Sequence, residues 1–129
     1  MSDHTDADVQ YSIILACADL MTGTNIAVSS AHGPTVLRTP ADVVTAVHDH
    51  GASIDAIVID LQTMGDLARQ LREDAGYGGV IIGFAPHVQV EMLQAARPFV
   101  NKLQARGAVI QRFDEIVADG MQRAARSDS

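Results

Sequence analysis

The segment Ile54-Asp55-Ala56-Ile57-Val58-Ile59-Asp60 is a short, β-branched apolar run that ends in a carboxylate. Apolar residues at successive positions, bounded by polar ones, predict a strand covered on both faces, as in a parallel sheet. In open parallel sheets, ligands and chemistry gather at the carboxyl ends of the strands. Asp60 falls at such an end, where a charged group can leave the core. It is either a chemical group or a cap for loop amides.

The rest of the chain supplies the layers that such a strand needs. Residues 11–18 read as a buried first strand, followed directly by Asp19. Residues 20–32 carry a short helix, expected to begin late because Thr22, Gly23, Thr24 and Asn25 loosen its start. Gly33-Pro34 breaks it, and 35–38 is a short strand. Thr39 and Pro40 open a second helix as N-cap and first helical residue. Val43, Val44 and Val47 form its buried face, and Gly51 ends it. After the strand at 54–60, residues 64–74 predict a helix with Leu67, Ala68 and Leu71 inward. Gly76-Tyr77-Gly78-Gly79 is a turn rather than a phosphate cradle, because it precedes a strand and not a helix. Residues 80–85 are the fourth strand, and Pro86-His87 ends it. A long helix is expected over 88–104, bent near Pro98. A fifth strand is expected over 108–112, and then a last helix capped by Asp114 and running to about Arg126. Residues 1–10 read as a disordered leader and 127–129 as a frayed tail around a single domain at 11–126.

Strand and helix thus alternate five times. Right-handed crossovers turn that pattern into an α/β, three-layer, doubly wound sandwich. The expected form is flavodoxin-like, with a five-stranded parallel sheet in the order 2-1-3-4-5.

Composition narrows the partners. The 129 residues carry a net charge of −7 with only nine Lys and Arg, which are scattered. Nucleic acid and anionic membrane surfaces need clustered positive charge, so neither is expected as a partner. Cys17 is the one cysteine, which excludes an intrachain disulfide or a cysteine zinc cluster. No signal-peptide pattern and no apolar run of about 20 residues is present, so a cytoplasmic protein is expected.

In the order 2-1-3-4-5 the topological switch point lies between strands 1 and 3, whose carboxyl ends carry Asp19 and Asp60. Two carboxylates there could hold Mg²⁺, and one could attack a phosphoryl group. Asp19 could instead cap the first helix. Here the chain resembles the receiver domain of two-component response regulators, over nearly its whole length. Ala18-Asp19-Leu20 stands where receivers carry an acidic pair. Asp55 to Leu61 stands on the strand that delivers the phosphoaccepting Asp, so Asp60 takes that position, and Gly65-Asp66 follows in a shortened loop. The resemblance implies phosphorylation of Asp60 with Mg²⁺ bound, completed by a Ser or Thr and a Lys.

The chain departs from that pattern in several places. Ala18 replaces one acid, and Gln62-Thr63-Met64 replaces the segment after the phosphoacceptor. Phe84 stands for the Ser or Thr. Gln111, in Gln111-Arg112-Phe113, stands for the Lys, so Arg112 is the remaining candidate to neutralise a phosphoryl group. The chain therefore resembles an atypical or pseudo-receiver. His87 lies at the site edge as a pH-sensitive or phosphate-contacting candidate. His48 and His50, two apart on a helix, do not share a face and suggest no metal site. No nucleophile motif suggests an enzyme.

Two functions follow. One is a stand-alone receiver-like signalling module that docks on a histidine kinase or a downstream signalling protein, with Arg97, Phe99, Val100 and Lys102 on the partner face. The other is a small-ligand or nucleotide-binding domain with a pocket lined by Asp19, Asp60, Phe84 and His87. A homodimer fits either.

Overall fold

The computed structural model describes residues 11–127. The leader expected at 1–10 lies outside the described residues, as does the tail beyond Ser127. Five parallel strands pair in the order β2-β1-β3-β4-β5. They are β1 (Ile13–Ala16), β2 (Thr35–Leu37), β3 (Ala56–Asp60), β4 (Val80–Ala85) and β5 (Lys102–Ala105). The helices between them are α1 (Leu20–Ser29), α2 (Pro40–His50), a broken α3 over 61–74, α4 (Val90–Ala96) and α5 (Arg106–Ser127). No helix among the described residues is long and apolar enough to cross a membrane.

The centre of the sheet is apolar on both faces, as the run at 54–60 requires. Alternate side chains divide it into two clusters. Ile57, Ile59, Ile81 and Ala16 face Val43 and Val47 of α2, Leu67 and Leu71 of α3, and Ala96 of α4. Leu15, Ala56, Val58, Ile82 and Phe84 face Ile26 of α1 and Val109, Phe113, Ile116 and Val117 of α5. Thr39 caps α2 by accepting from Asp42 N at 3.1 Å, and Pro40 follows as its first residue.

Four boundaries differ from the sequence reading. First, α1 starts at Leu20 and not late, because the Asp19 side chain accepts from Met21 N and nucleates the first turn. Second, the third helix starts at the strand end: Asp60 caps Leu61–Met64, and the chain breaks at Gly65 with φ 62°. It resumes at Leu67–Arg69 and closes in a π-helical turn, Gln70–Asp74.

Third, the expected long helix over 88–104 stops early. A 3-10 turn at Arg97–Phe99 contains Pro98, and Val100 is extended with φ −121° and ψ 155°. The fifth strand then lies at Lys102–Ala105, where Ile82 pairs with Lys102 and Ala85 with Ala105. Fourth, residues 108–111 are helical rather than a strand, and α5 kinks at Arg112, whose φ of −135° and ψ of 43° are not helical. Val109, Phe113, Ile116 and Val117 recur at helical spacing and bury one face of α5 against the sheet. A short apolar run alone does not separate a buried strand from a buried helix turn. Asp114 does not cap this helix. Its carboxylate accepts from Ser30 Oγ at 2.6 Å and Ala31 N at 2.8 Å, tying the end of α1 to α5.

Arg72 joins α3 to the starts of β4 and β5. Its Nε donates to Phe99 O at 2.9 Å, its Nη1 to Tyr77 O at 2.9 Å and Gly79 O at 2.7 Å, and its Nη2 to Asn101 Oδ1 at 2.8 Å. Asn101 Oδ1 also accepts from Ile81 N at 2.8 Å. A planar fork reaches these diverging acceptors at once, and an ammonium does not. Arg72→Lys is therefore expected to lose about 2 kcal/mol of stability, because partly buried carbonyls lose their donors. Urea unfolding measures this, and an unchanged midpoint would contradict the assignment.

Candidate functional site at the carboxyl edge of the sheet

Strands β1 and β3 run side by side, with Ala16 opposite Ile59. Their ends bring Cys17, Ala18, Asp19 and Asp60 to one edge. Asp60 is only 2% exposed, so its oxygens must find partners inside the protein. Oδ1 accepts from Gln62 N at 3.1 Å. Oδ2 lies 3.4 Å from the Cys17 thiol, which is also 3.5 Å from the Asp19 carbonyl. Thr63 links the two loops: its hydroxyl accepts from Ala18 N at 3.1 Å and reaches Asp60 O at 3.5 Å.

Asp19 is held differently. Its Oδ1 accepts from Met21 N at 3.2 Å. Its Oδ2 accepts from Thr22 Oγ1 at 2.9 Å and from Arg106 Nη2 at 3.0 Å. Arg106 Nη2 also donates to Thr22 Oγ1 at 2.7 Å, so carboxylate, hydroxyl and guanidinium close a triangle. The Thr22 hydroxyl, followed by the amides of Thr22 and Met21 and the charge of Arg106, holds the Asp19 carboxyl below its ordinary value.

The expected switch positions separate. Phe84 pairs with Asp60 across the sheet and is fully buried. His87 is exposed after β4 and borders a hollow of about 190 Å³ with Leu93, Arg97, Leu103 and Gln104. Gln111 and Arg112 lie within α5 and not on the fifth strand, and both are exposed. Arg112 Nη1 stands 3.9 Å from Glu115 Oε1, a contact along its own helix. The residue that leaves the fifth strand toward the site is Arg106. Sequence reasoning missed it because the helix was carried through Pro98, which displaced the strand by six positions in the chain. Thr22 was missed as well, having been read only as a helix-loosening residue.

The pocket expected around Asp19, Asp60, Phe84 and His87 is closed at its centre by the buried Asp60 and Phe84. A hollow of about 860 Å³ lies at the opposite edge of the sheet, between 47–54 and 75–79. Another of about 610 Å³ lies between α3 and α4, over Leu61, Ala68, Met92 and Phe99.

The order and the all-parallel pairing define the flavodoxin-like, receiver type of α/β fold. The REC domain of AraT, a response regulator from Geobacillus stearothermophilus, superposes with a TM-score of 0.72 at 15% identity, covering 94% of this chain and 100% of that one. The Legionella pneumophila response regulator LqsR superposes at 0.67 and 13% identity, over 93% of this chain and 46% of its own. At these identities the likeness is one of fold. No protein-family model and no curated protein matches the sequence.

That fold makes Mg²⁺ the ion to test against this edge. The described residues contain no cluster of three or more His, Cys, Asp or Glu side chains placed to hold a metal. Asp19 Oδ2 already faces a guanidinium, and Asp60 is enclosed by neutral donors. The residues as arranged do not fit a divalent ion.

Burial and the neighbouring Asp60 charge push the Cys17 thiol up from 9.0 to about 11. Burial likewise raises Tyr77, whose hydroxyl donates to Ile54 O at 2.9 Å, from 10.0 to about 12. Both groups hold their protons more tightly folded than unfolded. The stability they contribute is whole below pH 9 and is lost as pH rises through 11 and toward 12. Unfolding free energy should fall over this range, and Cys17→Ala should flatten the stretch between pH 9 and 11. An equal slope in the variant would show that Cys17 does not carry it.

Proposed function

We propose that the chain is a receiver-type signalling module that acts by docking on a protein partner, without needing phosphoryl transfer to Asp60. The observation that carries this reading is the enclosure of Asp60: at 2% exposure, with Oδ1 on Gln62 N and Oδ2 against the Cys17 thiol, it serves as a strand-end cap. A nucleophile needs an open line of approach, and a phosphoryl group brings about two negative charges that need a cation beside them. Arg106 reaches this edge, and it is committed to Asp19 and Thr22. The small-ligand alternative needs space where Phe84 and Asp60 fill the edge.

The partner face in this reading is built by α4, β5 and α5. Arg97, Lys102 and Arg123 border a polar hollow of about 310 Å³ there. Lys102 Nζ and Arg123 Nε both meet Asp119 Oδ2, at 2.6 and 3.0 Å, which fixes the two side chains in place. Phe99 is half-buried and packs against the core beneath this face, so it supports the surface rather than projecting from it. A histidine kinase or a downstream signalling protein is the class of partner this reading implies, and a second copy of the chain would use the same face.

Two measurements test the reading. With beryllofluoride and Mg²⁺, the amides of Ala18, Asp60, Gln62 and Thr63 should not shift in NMR spectra. Saturable shifts there would restore phosphoryl input. A photo-crosslinking residue at Arg97 should capture a discrete protein in cells, while one at the exposed Ala41 on α2 should not. Equal capture from both positions, or none, would count against docking through this face.

A further inference from the structure

We propose that Arg106 is the built-in cation of the carboxylate edge: it takes the electrostatic place of a divalent ion at Asp19 and keeps such ions out. The inference stands on the geometry of the site and does not depend on the docking reading. Asp19 is the more open of the two strand-end carboxylates, and the guanidinium sits on its Oδ2 at 3.0 Å. The same nitrogen is fixed a second time by Thr22 Oγ1 at 2.7 Å. Thr22 is 4% exposed, so this anchor is sheltered from water.

Three elements impose the arrangement. Asp19 is placed by the end of β1, Thr22 by the first turn of α1, and Arg106 by the first residue after β5. A guanidinium keeps its charge at every physiological pH, and a chain-borne cation does not dissociate into the solvent. A Mg²⁺ ion would have to dislodge it, build an octahedral shell with one or two carboxylates, and keep several waters. Asp60 offers little toward that shell, because its oxygens already accept from Gln62 N and the Cys17 thiol. The site therefore has its positive charge supplied from within, and its state is set by the chain rather than by the ion content of the solution.

Removing the guanidinium should open the site to a divalent ion. The test is a Mn²⁺ titration followed by paramagnetic broadening of amide signals in the full chain. In the wild type, Asp19, Asp60 and Gln62 should broaden no more than the exposed Asp49, and melting in Mg²⁺ should match melting in chelator. In Arg106→Ala, broadening should centre on Asp19 and Asp60 at roughly tenfold lower Mn²⁺, because the ion no longer has to displace an ion pair that, as two unit charges about 3 Å apart in bulk water, is itself worth about a factor of ten. Arg106→Gln, which keeps part of the stem and a neutral polar end, should gain the ion in the same way and covers the case in which the alanine variant does not fold. Arg106→Lys, which keeps the charge, should not gain it. Adding Asp19→Asn to Arg106→Ala should abolish the gain. Site-centred broadening in the wild type, or no gain in either neutral variant, would overturn the proposal.

Discussion

Strand β3 is buried on both faces, and most of what is distinctive in this protein follows from that constraint. Ala56, Ile57, Val58 and Ile59 are fully enclosed, so helices must cover the sheet on either side. The strand then has to deliver a carboxylate at its end with almost no access to water. A buried charge of that kind persists only where donors are supplied. Here the first turn of the following helix supplies an amide, and the neighbouring strand supplies a thiol. The cap of α3, the position of Cys17 and the Thr63 bridge to Ala18 all serve the same carboxylate.

The neighbouring acid has a different solution. Asp19 is partly open, and its partners include a full positive charge from the far end of the chain. One edge of the sheet thus holds two carboxylates, one satisfied by neutral donors and the other by an ion pair. The buried Asp60 and Phe84 fill the centre of that edge. In receivers a change in charge at this edge is what the resemblance implies as the input. In this chain Asp19 at that edge already has a cation beside it, Arg106.

Much of the fold was legible from residue patterns. The unbroken apolar run at 54–60 pointed to a central parallel strand, and Thr39-Pro40 marked the start of α2 in the manner that capping chemistry predicts. The order β2-β1-β3-β4-β5 is the flavodoxin-like one expected for five alternating strand and helix units. The misplacement of the fifth strand shows where patterns stop being informative. Ala108-Val109-Ile110 looks like a strand in isolation, yet its apolar residues continue the helical stripe of Phe113, Ile116 and Val117. Lys102 to Ala105 looks unlike a strand because it is an edge strand, half-buried and carrying a charge. The same slip transferred the site's cation from Arg106 to Gln111 and Arg112, neither of which reaches the edge.

By itself the sequence determined the class of the fold, the place of β3 at its centre, and the presence of Asp19 and Asp60 at one edge, because local hydrophobic pattern and chain connectivity are enough for those. Tertiary structure alone decided what the two carboxylates touch. The contacts between Cys17 and Asp60, and between Arg106 and Asp19, join residues 43 and 87 positions apart. No local propensity encodes a pairing at that range. It arises only when packing of the helices on both sides of the sheet brings the strand ends to a common edge, where buried charge has to be balanced by whatever side chains the fold delivers.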